Sequence, residues 1–180
     1  MQTLSSTPQV IQVKPREQRE VIITEPGAYV VELLGAGGHV NIIGRFMAKV
    51  NEDLNIELTI RHKSGHTSAQ TSLKGVVKDF AKVRFFGRIQ IDPGCPGVQS
   101  FLEERLLLLS PKAHAEAVPE LEILSDDVKC SHAASISQVP QEHMFYLQSR
   151  GLSVKQAEEL VVESFLSYVP DTSKQADEKN

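Results

Sequence analysis

The chain has 180 residues, 41% hydrophobic and 23% charged, which is enough for one domain with a real core. Its formal net charge of −4 and pI of about 5.9 disfavour non-specific nucleic-acid binding. No apolar run approaches the roughly 20 residues of a membrane span, MQTLSSTPQV lacks the regions of a signal peptide, and two cysteines make no disulfide framework, so the expected location is cytoplasmic.

Residues 1–8 are polar and read as a disordered N-terminus. Ile11 and Val13 alternate with Gln12 and Lys14, the period of a half-buried strand that Pro15 stops. Val21-Ile22-Ile23 is a second short strand, closed by the turn residues Glu25-Pro26-Gly27. Ala28 to Leu34 is a third, followed by Gly35-Ala36-Gly37-Gly38. That cluster lacks the Lys-Ser/Thr of a phosphate loop and no helical pattern follows, so it reads as a turn. Val40 to Phe46 and Met47 to Val50 continue the pattern. Leu54, Ile56, Leu58 and Ile60 alternate with Asn55, Glu57 and Thr59, the clearest strand in the chain. Short strands follow around Val76-Val77, Val83 to Phe86, Ile89 to Ile91, Leu106 to Leu109, and Leu121 to Leu124.

Strands of about four to six residues with turn signals every 8–12 residues or so suit a sandwich, barrel or solenoid. No crossover helices separate them. The echo of Gly44-Arg45-Phe46 in Gly87-Arg88-Ile89 is too short to define a repeat. Beyond Pro140 the pattern turns helical. Arg150-Gly151 reads as a C-terminal stop, and Ser153-Val154-Lys155-Gln156 is a capping box. Val154, Ala157, Leu160, Val161, Phe165 and Tyr168 form an apolar stripe that Pro170 ends. The organisation expected is a strand-rich core over 9–138, a helical region over 139–170, and a polar, disordered tail over 171–180.

Four clusters carry potential chemistry. His62 and His66 have metal-ligand spacing only if helical, and Lys63-Ser64-Gly65 between them favours a solvated turn. Cys95, between two Pro/Gly pairs, reads as an exposed turn thiol. As a thiolate it could bind a soft metal, and a homodimer could supply thiolates from both chains. Cys130 and His132, two apart in a strand, share a face and form a plausible soft-metal pair, with Asp126 or Asp127 available to fix the imidazole tautomer. Chemistry alone still favours a packed cysteine and a hydrogen-bonded histidine. Glu103 and Glu104 are adjacent, so in a strand they face opposite sides and offer no paired-carboxylate site.

The segments RHKSGHTSAQTSLKGVV, VRFFGRIQI, LLLLS, PELEILSDDVKCSHAAS and FYLQSRGLSVKQAEELVVESF together resemble the SufB/SufD family of iron–sulfur cluster assembly scaffolds. The resemblance covers residues 55–168. It implies a mainly-β fold, a right-handed parallel β-helix followed by a small two-helix region. It implies a non-enzymatic scaffold that holds a transient iron–sulfur cluster and no permanent cofactor. The implied partners are a SufC-like ABC ATPase docking on the helices, around Phe145, Tyr146 and Arg150, and either a second copy or a SufB-like chain pairing through the β-helix. Neither nucleic acid nor membrane is expected. The functional histidine of SufD-type chains falls in KCSH, at His132, with Cys130 beside it. SufB-type chains carry Glu after that histidine, where this chain has Ala133, and a catalytic cysteine at the position nearest Glu104. The chain is therefore SufD-like, and short, with no N-terminal helical region. The alternative is a solitary β-solenoid enzyme or carbohydrate-binding protein. Such a protein would want a row of aromatics or carboxylates, and the three tyrosines, Tyr29, Tyr146 and Tyr168, are scattered.

Overall fold

A computed structural model describes residues 7–167. The expectations for residues 1–6, Tyr168, Pro170 and the 171–180 tail lie outside them. The chain divides into two compact units between Val139 and Pro140.

The first unit contains ten strands: β1 (Gln9–Val13), β2 (Gln18–Ile23), β3 (Gly27–Leu33), β4 (His39–Ala48), β5 (Asp53–His62), β6 (Ser68–Val77), β7 (Lys82–Ile91), β8 (Gln99–Leu108), β9 (His114–Ile123) and β10 (Lys129–Gln138). Odd-numbered strands form one sheet in the order β1-β3-β5-β7-β9, and even-numbered strands form the other, β10-β8-β6-β4-β2. Every pairing is parallel. The chain thus adds one strand to each sheet per circuit, which is a parallel β-solenoid.

From β4 onward each strand runs ten residues, longer than the apolar runs suggest. In a strand only alternate side chains face the core, so a polar outward residue does not end it. Val83 to Ile91 is accordingly one strand, not two, and Ser68–Val77 is a strand along its whole length despite Gln70, Ser72 and Lys74. Ile56, Leu58 and Ile60 face the interior with no exposure, and Leu54 is half-buried. The Gly44/Gly87 echo is no repeat: Gly44 lies in β4 and Gly87 in β7, on different sheets.

The true repeat is the register. His39, Ser68, Gln99 and Lys129 stack one above another in the even sheet, and Asp53, Lys82 and His114 in the odd sheet. The turns from each odd strand to the next even strand each hold a left-handed residue: Arg16, Gly37, His66, Gly97 and Asp127, with φ of 59°, 75°, 54°, 69° and 54°. Their backbones stack as well, Gly37 N–H on His66 O, His66 N–H on Pro96 O, and Gly97 N–H on Asp127 O. At Gly97 a side chain is barred twice, by its φ and because a Cβ would lie 2.4 Å from the His66 ring. The outer face of the odd sheet is solvated, with Arg84–Glu116 at 3.1 Å and Arg88–Glu120 at 2.8 Å bridging β7 and β9.

In the second unit, α1 (Gln141–Ser149) follows Pro140 at its N-cap and ends at Arg150, with Gly151 left-handed at φ 95°. Ser153 and Gln156 close the expected capping box before α2 (Val154–Ser167), Ser153 N–H donating to Gln156 Oε1 at 2.9 Å and Gln156 N–H to Ser153 Oγ at 3.3 Å. The buried stripe of α2 differs from expectation. Ala157 is buried and Val161 and Phe165 are half-buried, while Val154 and Leu160 are exposed. Among the described residues no helix is long and apolar enough to cross a membrane.

Candidate functional site on the terminal coil

β10 is the last strand of the even sheet and, among the described residues, pairs only with β8. Its register places Cys130 beside Ser100, His132 beside Leu102, Ala134 beside Glu104 and Ile136 beside Leu106. The β8 members of these pairs all line the solenoid interior and are buried. Cys130 and His132 therefore share the inward face, as the spacing predicts. Because β10 ends the stack, His132 is exposed and Cys130 is half-buried against the core. Burial pushes the Cys130 thiol up to about 11, so at neutral pH it is a thiol and not a thiolate. His132 is the more accessible side chain of the two. Neither Asp126 nor Asp127 hydrogen-bonds its ring among the described residues; Asp127 instead turns the chain into β10 and receives the Gly97 N–H.

Two residues expected at exposed turns are buried instead. Cys95 is buried at 3% exposure, packed in the core rather than displayed on its turn. Burial, then the neighbouring Asp92 charge, raises its pKa. It therefore lacks the exposure that a thiolate site needs. His62 is the last residue of β5, faces inward and is fully buried, so it is no solvated turn residue and does not join His66. Thr67 Oγ1 donates to Ser64 O at 2.9 Å, which leaves it to accept the His62 Nδ1–H at 2.8 Å; Nε2 then accepts from Ser100 Oγ at 3.0 Å. With both nitrogens occupied and burial lowering its pKa to about 4, His62 is a neutral strut between the two sheets. Among the described residues no group of three or more His, Cys, Asp or Glu is placed to hold a metal ion.

Two further features carry charge. Glu104 faces inward on β8, fully buried, with no partner for either carboxyl oxygen. Gly87, across the interior, leaves it room: a Cβ there would lie 2.5 Å from Glu104 Oε1. Burial raises this carboxyl to about 7. On the outward face of the even sheet, Arg45, Lys74 and Arg105 share one register row. Arg105 binds Glu103 at 2.7 Å and Arg45 donates to Ser72 O at 3.0 Å. Lys74, buried at 1% exposure, is lowered to about 8 by burial and then by the two arginines. Glu103 and Glu104 do face opposite sides, yet both are buried. On α1, Phe145 and Tyr146 are exposed at 75% and 56%, and the Arg150 guanidinium lies 5.1 Å from the Tyr146 ring centre.

Residues 26–165 match the family model described as "SUF system FeS cluster assembly, SufBD core domain". The chain is 34% identical over 119 residues to an iron–sulfur cluster assembly SufBD family protein of Synechocystis, 66% of this chain and 26% of that one. It is 28% identical over 134 residues to the iron–sulfur cluster assembly protein SufD of Escherichia coli, 74% of this chain and 32% of that one. It is also 32% identical over 105 residues to SufB of Bacillus subtilis, 58% of this chain and 23% of that one. The aligned part thus spans less than a third of the length of such relatives.

Proposed function

The chain belongs to the SufB/SufD family of iron–sulfur cluster assembly proteins, and from that premise we propose that it is a non-enzymatic scaffold on whose terminal coil a nascent cluster is held. The observation that carries this reading is the placement of His132. It lies on the inward face of an end strand, exposed, with Cys130 on the same face one pleat away. A neutral imidazole is a competent iron ligand as it stands. Cys130, with its raised pKa, becomes one only if iron binding displaces its proton.

The partner is proposed from the same strand. β9 and β10 end the two sheets, so each has one backbone edge without a strand from this chain. Such edges pair readily with another chain. A second copy or a SufB-like chain adding strands there would bring two His132-type faces together across the junction. A SufC-like ABC ATPase, working in the cytoplasm with the scaffold, is proposed to dock on α1, where Phe145 and Tyr146 offer exposed aromatic area and Arg150 a charge.

The experiment is His132→Ala in the full chain, compared with wild type in anaerobic iron and sulfide reconstitution and in complementation of cells that depend on this protein. Unchanged thermal unfolding and oligomeric state with reduced cluster yield is the expected result. Normal cluster delivery would make the chain a structural partner only.

A further inference from the structure

We propose that the terminal coil, β9 with β10, is a cover that opens on its own, and that the buried carboxyl of Glu104 beneath it keeps that opening easy. This reading rests on packing alone and holds whether or not the chain builds clusters.

The cover is thin. No residue of β10 is buried, and β9 holds only half-buried and exposed positions. In β8, one circuit earlier, Ser100, Leu102, Glu104 and Leu106 are all buried on the inward face. The inward residues of the terminal coil are also small where they overlie Glu104: Ala134 is its register partner on β10, and on β9 Pro119 is that of Gly87. Separating β9 and β10 from their neighbours uncovers one layer of inward residues, Phe85, Ile89, Leu102 and Leu106 among them, and leaves the coils below packed, so this separation costs less than unfolding the whole solenoid.

What the cover shuts in resists being shut in. Both oxygens of Glu104 are buried without a partner, and a buried polar group left unmatched costs about 1–3 kcal/mol. The inward side chains of β6 and β7 around it, Leu73 and Gly87 among them, supply no charge, and the hydroxyl of Thr71, two residues along β6, makes no hydrogen bond to it. Those of β9 are uncharged as well, and on β10 the titratable inward groups are Cys130 and His132. Opening the terminal coil lets water reach Glu104 while the rest of the solenoid stays paired. Burial also raises the carboxyl to about 7, which marks the same unfavourable environment. Strand opening is thus favoured locally, at the one place where it relieves the orphaned group.

The test is native-state hydrogen exchange on the full chain, wild type against Glu104→Leu. The readout is protection of β9 and β10 amides relative to β4–β7 amides in the same molecule. Wild type should show lower protection in β9 and β10, with an opening less sensitive to denaturant than global unfolding. In Glu104→Leu that protection should rise by about tenfold to a hundredfold, the equivalent of the unmade hydrogen bond, and by a similar factor in β4–β7, because global unfolding exposes residue 104 as well. A rise confined to β4–β7, or no rise in β9 and β10, would overturn the proposal. If Glu104→Leu does not fold, wild type decides alone. Exchange of β9 and β10 only through global unfolding would equally overturn it.

Discussion

β8 and β10 are neighbouring strands of one sheet, in perfect register, with the same direction and length. They differ in what lies above them. Over β8 sits another strand of this chain; over β10, among the described residues, sits none. A solenoid repeats its backbone but not its environment, and the same inward position is core in one coil and surface in the next. Leu102 is fully buried, whereas His132 beside it is exposed. The last coil has therefore lost the requirement for an apolar inward face, and that is where reactive side chains can stand without a folding penalty.

The largest effect follows directly. Leu102→Ala deletes core volume and should cost about 2–5 kcal/mol in urea unfolding. His132→Ala, one strand away in the same register row, should cost less than about 0.5 kcal/mol. Similar losses for both would mean that β10 is as tightly covered as β8.

The second prediction sets Glu104 on β8 against His62 on β5, two buried titratable groups with opposite signs. His62 is 6.5 unfolded and about 4 folded, so it removes stability as pH falls below about 6.5. Glu104 is 4.5 unfolded and about 7 folded, so its stability is complete below about pH 4.5 and is lost as pH rises toward 7. Between those limits the native state holds one extra proton on Glu104 and the unfolded state one on His62, and the two slopes cancel. Wild-type stability should be flat there, as far as these two groups set it. Glu104→Gln removes one arm, so stability should climb with pH to about 6.5, by up to about 3 kcal/mol. A chemical-denaturation series across pH 4–8 reads this. A wild-type profile that climbs as steeply as that of Glu104→Gln would show that the carboxyl is hydrated, not buried.

Much of this was legible in the residues. Leu54 to Ile60 declares its strand by strict alternation, and the capping box at Ser153 and Gln156 declares its helix. The shared face of Cys130 and His132 needs only the period of a strand. The resemblance carried by DDVKCSHAAS and its neighbours decided between sandwich and solenoid, which alternation alone left open. What stayed hidden depends on contacts far apart in sequence. Cys95 sits among Pro and Gly, a pattern that says turn but not which way the thiol points, and the fold turns it inward. His62 closes a strand whose partner hydroxyl, Ser100, lies in another sheet. Glu104 is a carboxylate in a leucine-rich run, and only the register reveals that its position is interior. The lengths of β6 and β7 were masked by polar outward residues, although Ser68 and Gln99 standing at matching places in successive circuits is a spacing signal the sequence does contain.

The smallest effect separates the two thiols. Both are held protonated by burial, Cys130 at about 11 and Cys95 raised by burial and Asp92. Intrinsic reactivity therefore favours neither, and access decides. Cys95 belongs to the core cluster beneath the β7–β8 turn, whereas Cys130 is half-buried on the end strand. A thiol in the core waits for a large opening; one on a loosely covered strand needs only a local one. At pH 8 without denaturant, iodoacetamide should modify Cys130 at least about tenfold faster than Cys95, a difference of about 1.4 kcal/mol in opening free energy. Mass spectrometry of the digested protein measures both rates in one sample, and Cys130→Ser confirms the assignment by leaving only the slow phase. Urea approaching the unfolding midpoint should bring the two rates together, since global unfolding then exposes both. Equal rates in the absence of urea would mean that the terminal coil opens no more readily than the coils beneath it, and the distinction between β8 and β10 would be one of exposure alone.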